Sequence, residues 1–492
     1  MVEQQAEQAK TTGQADPTLH TALLQFIFPF SIKAGVDQEL AARLQEDGFT
    51  RFFLDNKELE SIYYGEGYCV SHEKMERSYL PFAAHVLFPR EKDHDSFRRF
   101  SRVNDLPCRL EMPFQSANFR ILSTDVFLCP FELGFLTLRV AIEEENLPFS
   151  TALEFADRFR TLEDVSYKDE LTFIHCRKKT FARVEDFVFK HLVSVLEPFL
   201  DPAETDGAYF ETLPFFVDER MLVQAFYGVN LPEGQDEIDV KLLYRASQVD
   251  GLDLEGRPYI SASDPDYIKQ YARDHGYSRW APDTYYMTNE QTFCCVSRAK
   301  PEIATQLVNQ MYGEYYYGLL LNIFHKIVLL KLANLHSRLR INHDYDEIEN
   351  LIFLINKFSA KFYFLELITQ SQGREIFYQL RKVYGNDALF DEVKMTLNDL
   401  FQYQDKFQAK RRDTLLMVLT VFTVVSGIYG MNQVIEDLKG NIDWSVMLDY
   451  SPFEYLALFL TFSGIAVSLF LTLREAWITL KSRRKKRHYA KD

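Results

Sequence analysis

The sequence predicts an α+β body followed by long stalk helices and a two-helix transmembrane hairpin. Three observations carry that reading. From His20 to about Lys300, short β-branched or aromatic runs alternate with helical stretches. After Pro301 helix formers dominate and prolines disappear until Pro452. Finally, Thr414–Gly430 and Tyr455–Leu473 are free of charge, each close to the roughly 20 residues that span a bilayer's hydrocarbon.

With 492 residues, the chain has room for two or three domains of about 150 residues each. Its net charge of -16 argues against a general nucleic-acid binder, since phosphate contacts need surplus Lys and Arg, and favours nearby cations. The six cysteines, Cys69, Cys108, Cys129, Cys176, Cys294 and Cys295, have no repeated metal spacing and read as reduced, buried thiols. Residues 1–19 form a polar tail with no hydrophobic core, so a signal or transit peptide is not expected there and the body is expected in the cytosol.

Residues 20–300 read as an α/β domain, either one unit or two subdomains at 20–205 and 206–300. Strands are expected at Leu23–Ile32, Ala83–Phe88, Arg120–Leu128 and Gly134–Ala141, the last two joined by the turn Cys129–Leu133. Helices are expected at Gln38–Glu46, Ser150–Leu162 and Arg183–Leu200, with Ser150 or Thr151 as a cap and Glu154 completing a capping box. A second strand-rich patch comprises Tyr209–Val217, Arg220–Val229, Val240–Ala246 and Thr292–Val296, with a polar connection from Gln248 to Asp266.

Residues 301–410 form the helical stalk region, and Pro301 suits a first helical turn because its missing N–H needs no intrahelical partner. Helices are expected from Pro301 to about Asn342, Tyr345 to about Gln370, Arg374 to Tyr384, and from Asp387 unbroken into the first apolar run. Tyr315–Leu335 and Leu351–Leu367 resemble membrane spans in apolarity. However, Lys326, Lys331, Lys357 and Lys361 would each cost about 3 kcal/mol at a bilayer centre, so helix packing explains them better. His325 and His336 read as histidines of that packing.

Residues 411–430 and 455–473 are then two membrane helices, joined by an external loop at 431–454 and followed by a basic tail at 474–492. Lys406, Lys410, Arg411 and Arg412 precede the first span, and Arg474, Lys481, Arg483, Arg484, Lys485, Lys486 and Arg487 follow the second. The loop offers only Lys439 against Glu436, Asp437, Asp443 and Asp449, so the positive-inside bias puts both termini in the cytoplasm of a plasma (inner) membrane protein. The tail is either topogenic or lipid-binding charge. Thr414, Thr420, Thr423, Ser426 and Gly427 recur at three- and four-residue steps, a pattern of helix packing or, in a symmetric assembly, of a pore lining.

Tyr429-Gly430-Met431-Asn432 ends the first span, and a short external loop, a second span and a basic tail follow it. In this placement the Gly-Met-Asn string resembles the CorA superfamily of divalent-cation channels, from about Asp387 to Lys491. The resemblance implies a homopentameric funnel with Gly430, Met431 and Asn432 as the outer selectivity filter, Asn432 holding Mg²⁺ through its hydrating water. Neutral oxygens suit an ion that dehydrates reluctantly. Thr420, Thr423, Ser426 and Gly427 would line the pore, Glu436 and Asp437 would form an acidic external mouth, and Arg412 with Asp413 would stand at the inner gate. The sequence departs from the family's pattern in its loop, in lacking a pore-helix proline, and in placing Arg412 where an apolar constriction is common.

The implied function is therefore a gated channel for Mg²⁺, with Co²⁺, Ni²⁺ or Zn²⁺ as alternatives, Mg²⁺ being the transported or regulatory ion. The implied partners are four further copies of the chain, the bilayer and divalent cations. The alternative is a CorA-like membrane effector opened by a small cytosolic ligand, such as a nucleotide messenger in prokaryotic antiviral defence. No Gly-rich phosphate loop, nucleophile elbow or zinc-protease helix is present, so neither an enzyme nor an organic cofactor is expected.

Overall fold

The computed structural model describes residues 16–89, 96–162, 172–200, 220–339 except 233, 345–430 except 365, and 445–456, with 458–460, 462–464, 466–467, 469–470, 473 and 477. The expected strand at Tyr209–Val217 lies outside these residues. The chain divides into two compact units, Met1–Lys394 and Met395–Asp492.

The first unit is mixed α/β and is built on one twelve-stranded sheet. Its long strands are β1 (Thr18–Ser31), β3 (Arg98–Glu111), β4 (Ser116–Cys129), β5 (Leu133–Ile142) and β9 (Leu222–Asn230). Short β2 (Thr50–Arg51) and β6 (Leu147–Pro148) pair with β3 and β1. The edges carry β7 (Phe173–Cys176) with β8 (Lys179–Phe181), and β10 (Gly276–Trp280) with β11 (Thr284–Thr288) and β12 (Thr292–Ser297). The order is β10-β11-β12-β9-β1-β5-β4-β3-β7-β8, antiparallel throughout except for β9 against β12. Residues 20–205 and 206–300 thus share one sheet, because β9 pairs with β1 along nine register positions from Thr18↔Asn230 to Ile27↔Leu222.

Helices of at least nine residues are α1 (Asp37–Glu46), α2 (Phe149–Arg160), α3 (Val240–Gln248), α4 (Pro265–His275), α5 (Pro301–Tyr312), α6 (Glu314–Arg338), α7 (Tyr345–Lys357), α8 (Ser371–Tyr384) and α9 (Asn386–Gly430). On one sheet face Phe26 and Phe119 pack against Phe155 and Phe159 of α2, with centroids 4.7–6.5 Å apart. The opposite face receives α5 and α6. Strand β1 is covered on both sides, which explains its nearly continuous apolar sequence.

Five expectations need correction. Ala83–Phe88 contains a short helix, Ala84–Leu87, and Val240–Ala246 lies in α3, whose N-cap Asp239 accepts a bond from the Lys241 amide. Neither Ser150 nor Thr151 caps α2: its N-cap is Pro148, and Asp16 accepts both the N–H and the hydroxyl of Ser150 at 3.0 Å. Pro301–Asn342 is broken at Gly313. Finally, Arg183–Leu200 is three short helical pieces.

Among the described residues, Pro301–Arg338 is the one helical stretch long and apolar enough to cross a membrane by length and composition, yet 67% of its apolar window is buried inside the protein. It is apolar all round because the sheet covers one side and α7, α8 and their neighbours the rest. Its lysines are accommodated at the ends of reach. Lys326 Nζ donates to Tyr384 O at 2.9 Å, and Lys331 Nζ donates to Phe131 O at 2.8 Å. His325 is fully buried, with Nε2 2.7 Å from Phe362 O, and burial lowers its pKa to about 4, so it is neutral. The start of α9 is fastened to α6: Asn386 Nδ2 donates to Asn322 O and Oδ1 at 3.1 and 3.0 Å.

Glu314, the first residue of α6, is 2% exposed, and burial raises its carboxyl pKa to about 8. An unfolded Glu titrates near 4.3, so between these values the folded state holds the extra proton and stability falls as pH rises. Glu314→Gln should abolish that decline, with a gain over wild type on the order of 4 kcal/mol by pH 8. Thermal unfolding of the full chain in detergent across pH 5–8 checks this, and parallel curves for the two proteins would contradict it.

Candidate functional site

Helix α9 runs without interruption from Asn386 to Gly430, as its breaker-free sequence predicts. The 474–492 tail, apart from Trp477, and the expected site residues Met431, Asn432, Glu436 and Asp437 lie outside the described residues. Gly430 is the last residue of the helix. Described positions from 452 to 477 are also helical, a range that includes and extends beyond the expected second span at 455–473.

At about 100° per residue, the apolar part of α9 divides into three faces. Leu415, Phe422 and Ser426 share one, and all three are partly covered. The second helical segment lies against this face. A Cβ placed on Gly464 would stand 3.1 Å from Phe422 Cδ1 and 3.5 Å from Ser426 Oγ, so the glycine permits this close approach without pressing on the Phe422 ring. Ser426, expected on the pore lining, borders this helix contact.

The second face carries Thr420, Thr423 and Gly427, all exposed, with Leu416 one turn earlier. Thr414 is displaced from it by about a third of a turn. Each hydroxyl donates back into its own helix, Thr420 Oγ1 to Leu416 O and Thr423 Oγ1 to Leu419 O, both at 2.7 Å. With the proton committed to the helix, the oxygen lone pairs point outward. The stripe consequently presents acceptors, which suit the water shell of a cation.

On the third face Met417, Val421 and Val424 are 53–70% exposed, as are many apolar side chains of the second segment, among them Phe459, Phe462 and Phe470. A continuous apolar surface of this kind needs lipid or protein to cover it. Arg412 and Asp413, both exposed, fall on or beside the angular sector of Thr420 and Thr423 when the helix is followed inward.

Sequence reasoning missed a second set of polar residues, in the first unit. Gln25, Asp125, Arg139 and Gln224 each interrupt an apolar strand, in Leu-Gln-Phe, Thr-Asp-Val, Leu-Arg-Val and Val-Gln-Ala contexts. That interruption was the available signal. Asp125 is fully buried, 2.6 Å from Arg139 Nη1 and 3.1 Å from Arg99 Nη2. Burial disfavours its charge, but Arg139 and Arg99 together hold its carboxyl below the usual range.

The six cysteines are free thiols, of which Cys69 is exposed rather than buried. Among the described residues no group of three or more His, Cys, Asp or Glu side chains is placed to hold a metal. No family model matches the chain, and neither a curated protein nor a solved structure does.

The three faces make a specific expectation for the chain reconstituted in lipid vesicles. On a Cys69→Ser background, Thr420→Cys, Thr423→Cys and Gly427→Cys should react with a charged methanethiosulfonate reagent. Met417→Cys, Val421→Cys and Val424→Cys should be at least tenfold slower. Equal rates around the helix would show that the stripe does not face water.

Proposed function

We propose that the chain is a pore-forming channel for divalent cations, Mg²⁺ first and Co²⁺, Ni²⁺ or Zn²⁺ as alternatives, and a divergent member of the CorA superfamily. Five copies would place α9 around an axis in the plasma membrane, with both chain ends in the cytoplasm and the first unit controlling opening. The observation that carries this reading is the stripe Thr420-Thr423-Gly427 on a helix that ends in Tyr429-Gly430 and is followed by Met431-Asn432. A two-helix hairpin cannot enclose a pore alone, so one acceptor stripe per chain requires symmetric assembly. The stripe's outward lone pairs favour a hydrated cation over an anion, and the Asn432 amide continues this with neutral oxygen. Glu436 and Asp437 would concentrate cations at the mouth.

A second reading, a membrane effector opened by a small cytosolic signal, is favoured by Arg412. Five guanidinium groups at the inner end oppose cation exit, and Asp413 offsets them only where it pairs with them. Such a pore would stay shut until the first unit moves it.

In proteoliposomes, Mg²⁺ flux should fall at least tenfold on Asn432→Ala, and unchanged flux would remove Asn432 from the filter. Arg412→Leu should raise resting flux several-fold whereas Arg412→Lys should not. Identical flux in all three proteins would show that the inner ring does not hold the pore shut.

A further inference from the structure

The register of the sheet places a polar row across its centre. Gln224 on β9 lies opposite Gln25 on β1, Gln25 opposite Arg139 on β5, Arg139 opposite Ser123 on β4, and Ser123 opposite Val103 on β3. Directly opposed residues share a face, here the one under α5 and α6. The four polar members are at most 2% exposed. Both glutamine amides donate to Met311 O, at 2.6 and 3.5 Å, but Gln25 Oε1 and Gln224 Oε1 have no hydrogen-bond partner. Neither do Arg139 Nε and Nη2 or the Tyr312 hydroxyl.

Arg99, Arg139 and Asp125 sum to one surplus positive charge in this interior. Arg99 also donates to the Ser101 and Tyr317 hydroxyls and Arg139 to Ser123 Oγ. Rings cover the rest: Arg99 lies 4.0 Å over Phe52 and 5.6 Å over Tyr63, and Arg139 lies 5.1 Å over Tyr64 and 5.3 Å over Tyr316. Two unmet guanidinium N–H groups and an uncompensated buried charge are costly, and a bound oxyanion would satisfy both.

The polar members of the row are closed off from solvent, and the row ends at the surface. Val103, its last member, lines an open cleft of about 550 Å³ whose other wall is the segment Ser61–Cys69. That segment separates cleft from row. Tyr63 and Tyr64 turn inward onto the arginines, and Ser123 Oγ donates to Tyr63 O at 2.7 Å, whereas Gly65, Gly67 and Tyr68 face the cleft. Gly65 and Gly67, inside the covering turn, hold φ of +90° and +84°, a left-handed backbone that glycine adopts without strain.

We infer that the polar row is a binding site for a phosphoester that also carries hydroxyl or amino donors, of the sugar-phosphate or nucleotide class, entered from the cleft by displacement of Tyr63–Tyr68. The phosphate pairs with Arg139 and the donors meet Gln25 Oε1 and Gln224 Oε1. This assignment stands apart from the channel reading and survives its failure.

Calorimetry on the full chain in detergent tests it with ribose 5-phosphate, inorganic phosphate and ribose. Ribose 5-phosphate should bind saturably and at least tenfold tighter than inorganic phosphate, with ribose silent. Arg139→Gln, which leaves Asp125 paired with Arg99, should weaken it at least tenfold, and Gln25→Leu should remove the advantage over inorganic phosphate. No saturable binding, or binding unchanged in a folded Arg139→Gln protein, overturns the site. Should Arg139→Gln not fold, hydrogen exchange on the wild type decides. Ligand-induced protection within 61–69 and 311–317 supports the site, and protection elsewhere overturns it.

Discussion

Asp125 sits at zero exposure between two equally buried arginines, and the first unit is arranged around keeping those charges paired. Charges removed from water are tolerated only with close partners and further hydrogen bonds, and loss of one partner from a buried pair typically costs about 3–5 kcal/mol. Both requirements bring sheet and helices together. Arg99 Nη1 donates to the Tyr317 hydroxyl at 2.5 Å and Nε to Ser101 Oγ at 2.9 Å, while Thr137 Oγ1 lies 2.8 Å from the Tyr316 hydroxyl. Tyrosines on the first turn of α6 are thereby registered on three central strands.

The registration extends along α6 to α9, the longest of the described helices. Because Tyr316 and Tyr317 fix the start of α6, the positions of Asn322 and Lys326 follow from helical geometry. Asn322 receives Asn386, the first residue of α9, and Lys326 holds the end of α8 through Tyr384 O. Arg381 of α8 adds a bond to Asp387 Oδ1 at 2.6 Å. A rearrangement of the polar row that shifts Tyr316 or Tyr317 thus has a continuous set of packed and hydrogen-bonded neighbours leading to the origin of α9. Such continuity supplies a route between the polar row and α9.

Much of this was legible from sequence where the signal is local. The β1, β4 and β5 strands and the β4–β5 turn announce themselves by β-branched and aromatic runs ending at Cys129-Pro130, and α9 by the absence of any breaker from Asp387 to Gly427. Local signals misled where two structures share a composition. Val240-Lys-Leu-Leu-Tyr reads as a strand until Asp239 is seen to cap it, and the Gly313 break hides inside a helix-forming stretch. The candidate conduction stripe was legible because 100° periodicity is a property of one helix. That Ser426 borders a helix contact was not legible, because its neighbour Gly464 comes from another segment.

The sequence by itself determined the charge-free runs, the basic flanks, the placed Gly-Met-Asn string and the uninterrupted helix that leads to it, since each depends on residues close together in the chain. Tertiary structure alone decided that residues 20–205 and 206–300 build one sheet, that the most apolar helix of the first unit is its core, and that Gln25, Arg139, Asp125 and Gln224 converge. Strand order and register set those outcomes. They pair residues up to about two hundred positions apart, and periodicity within a single strand carries no information about its partner.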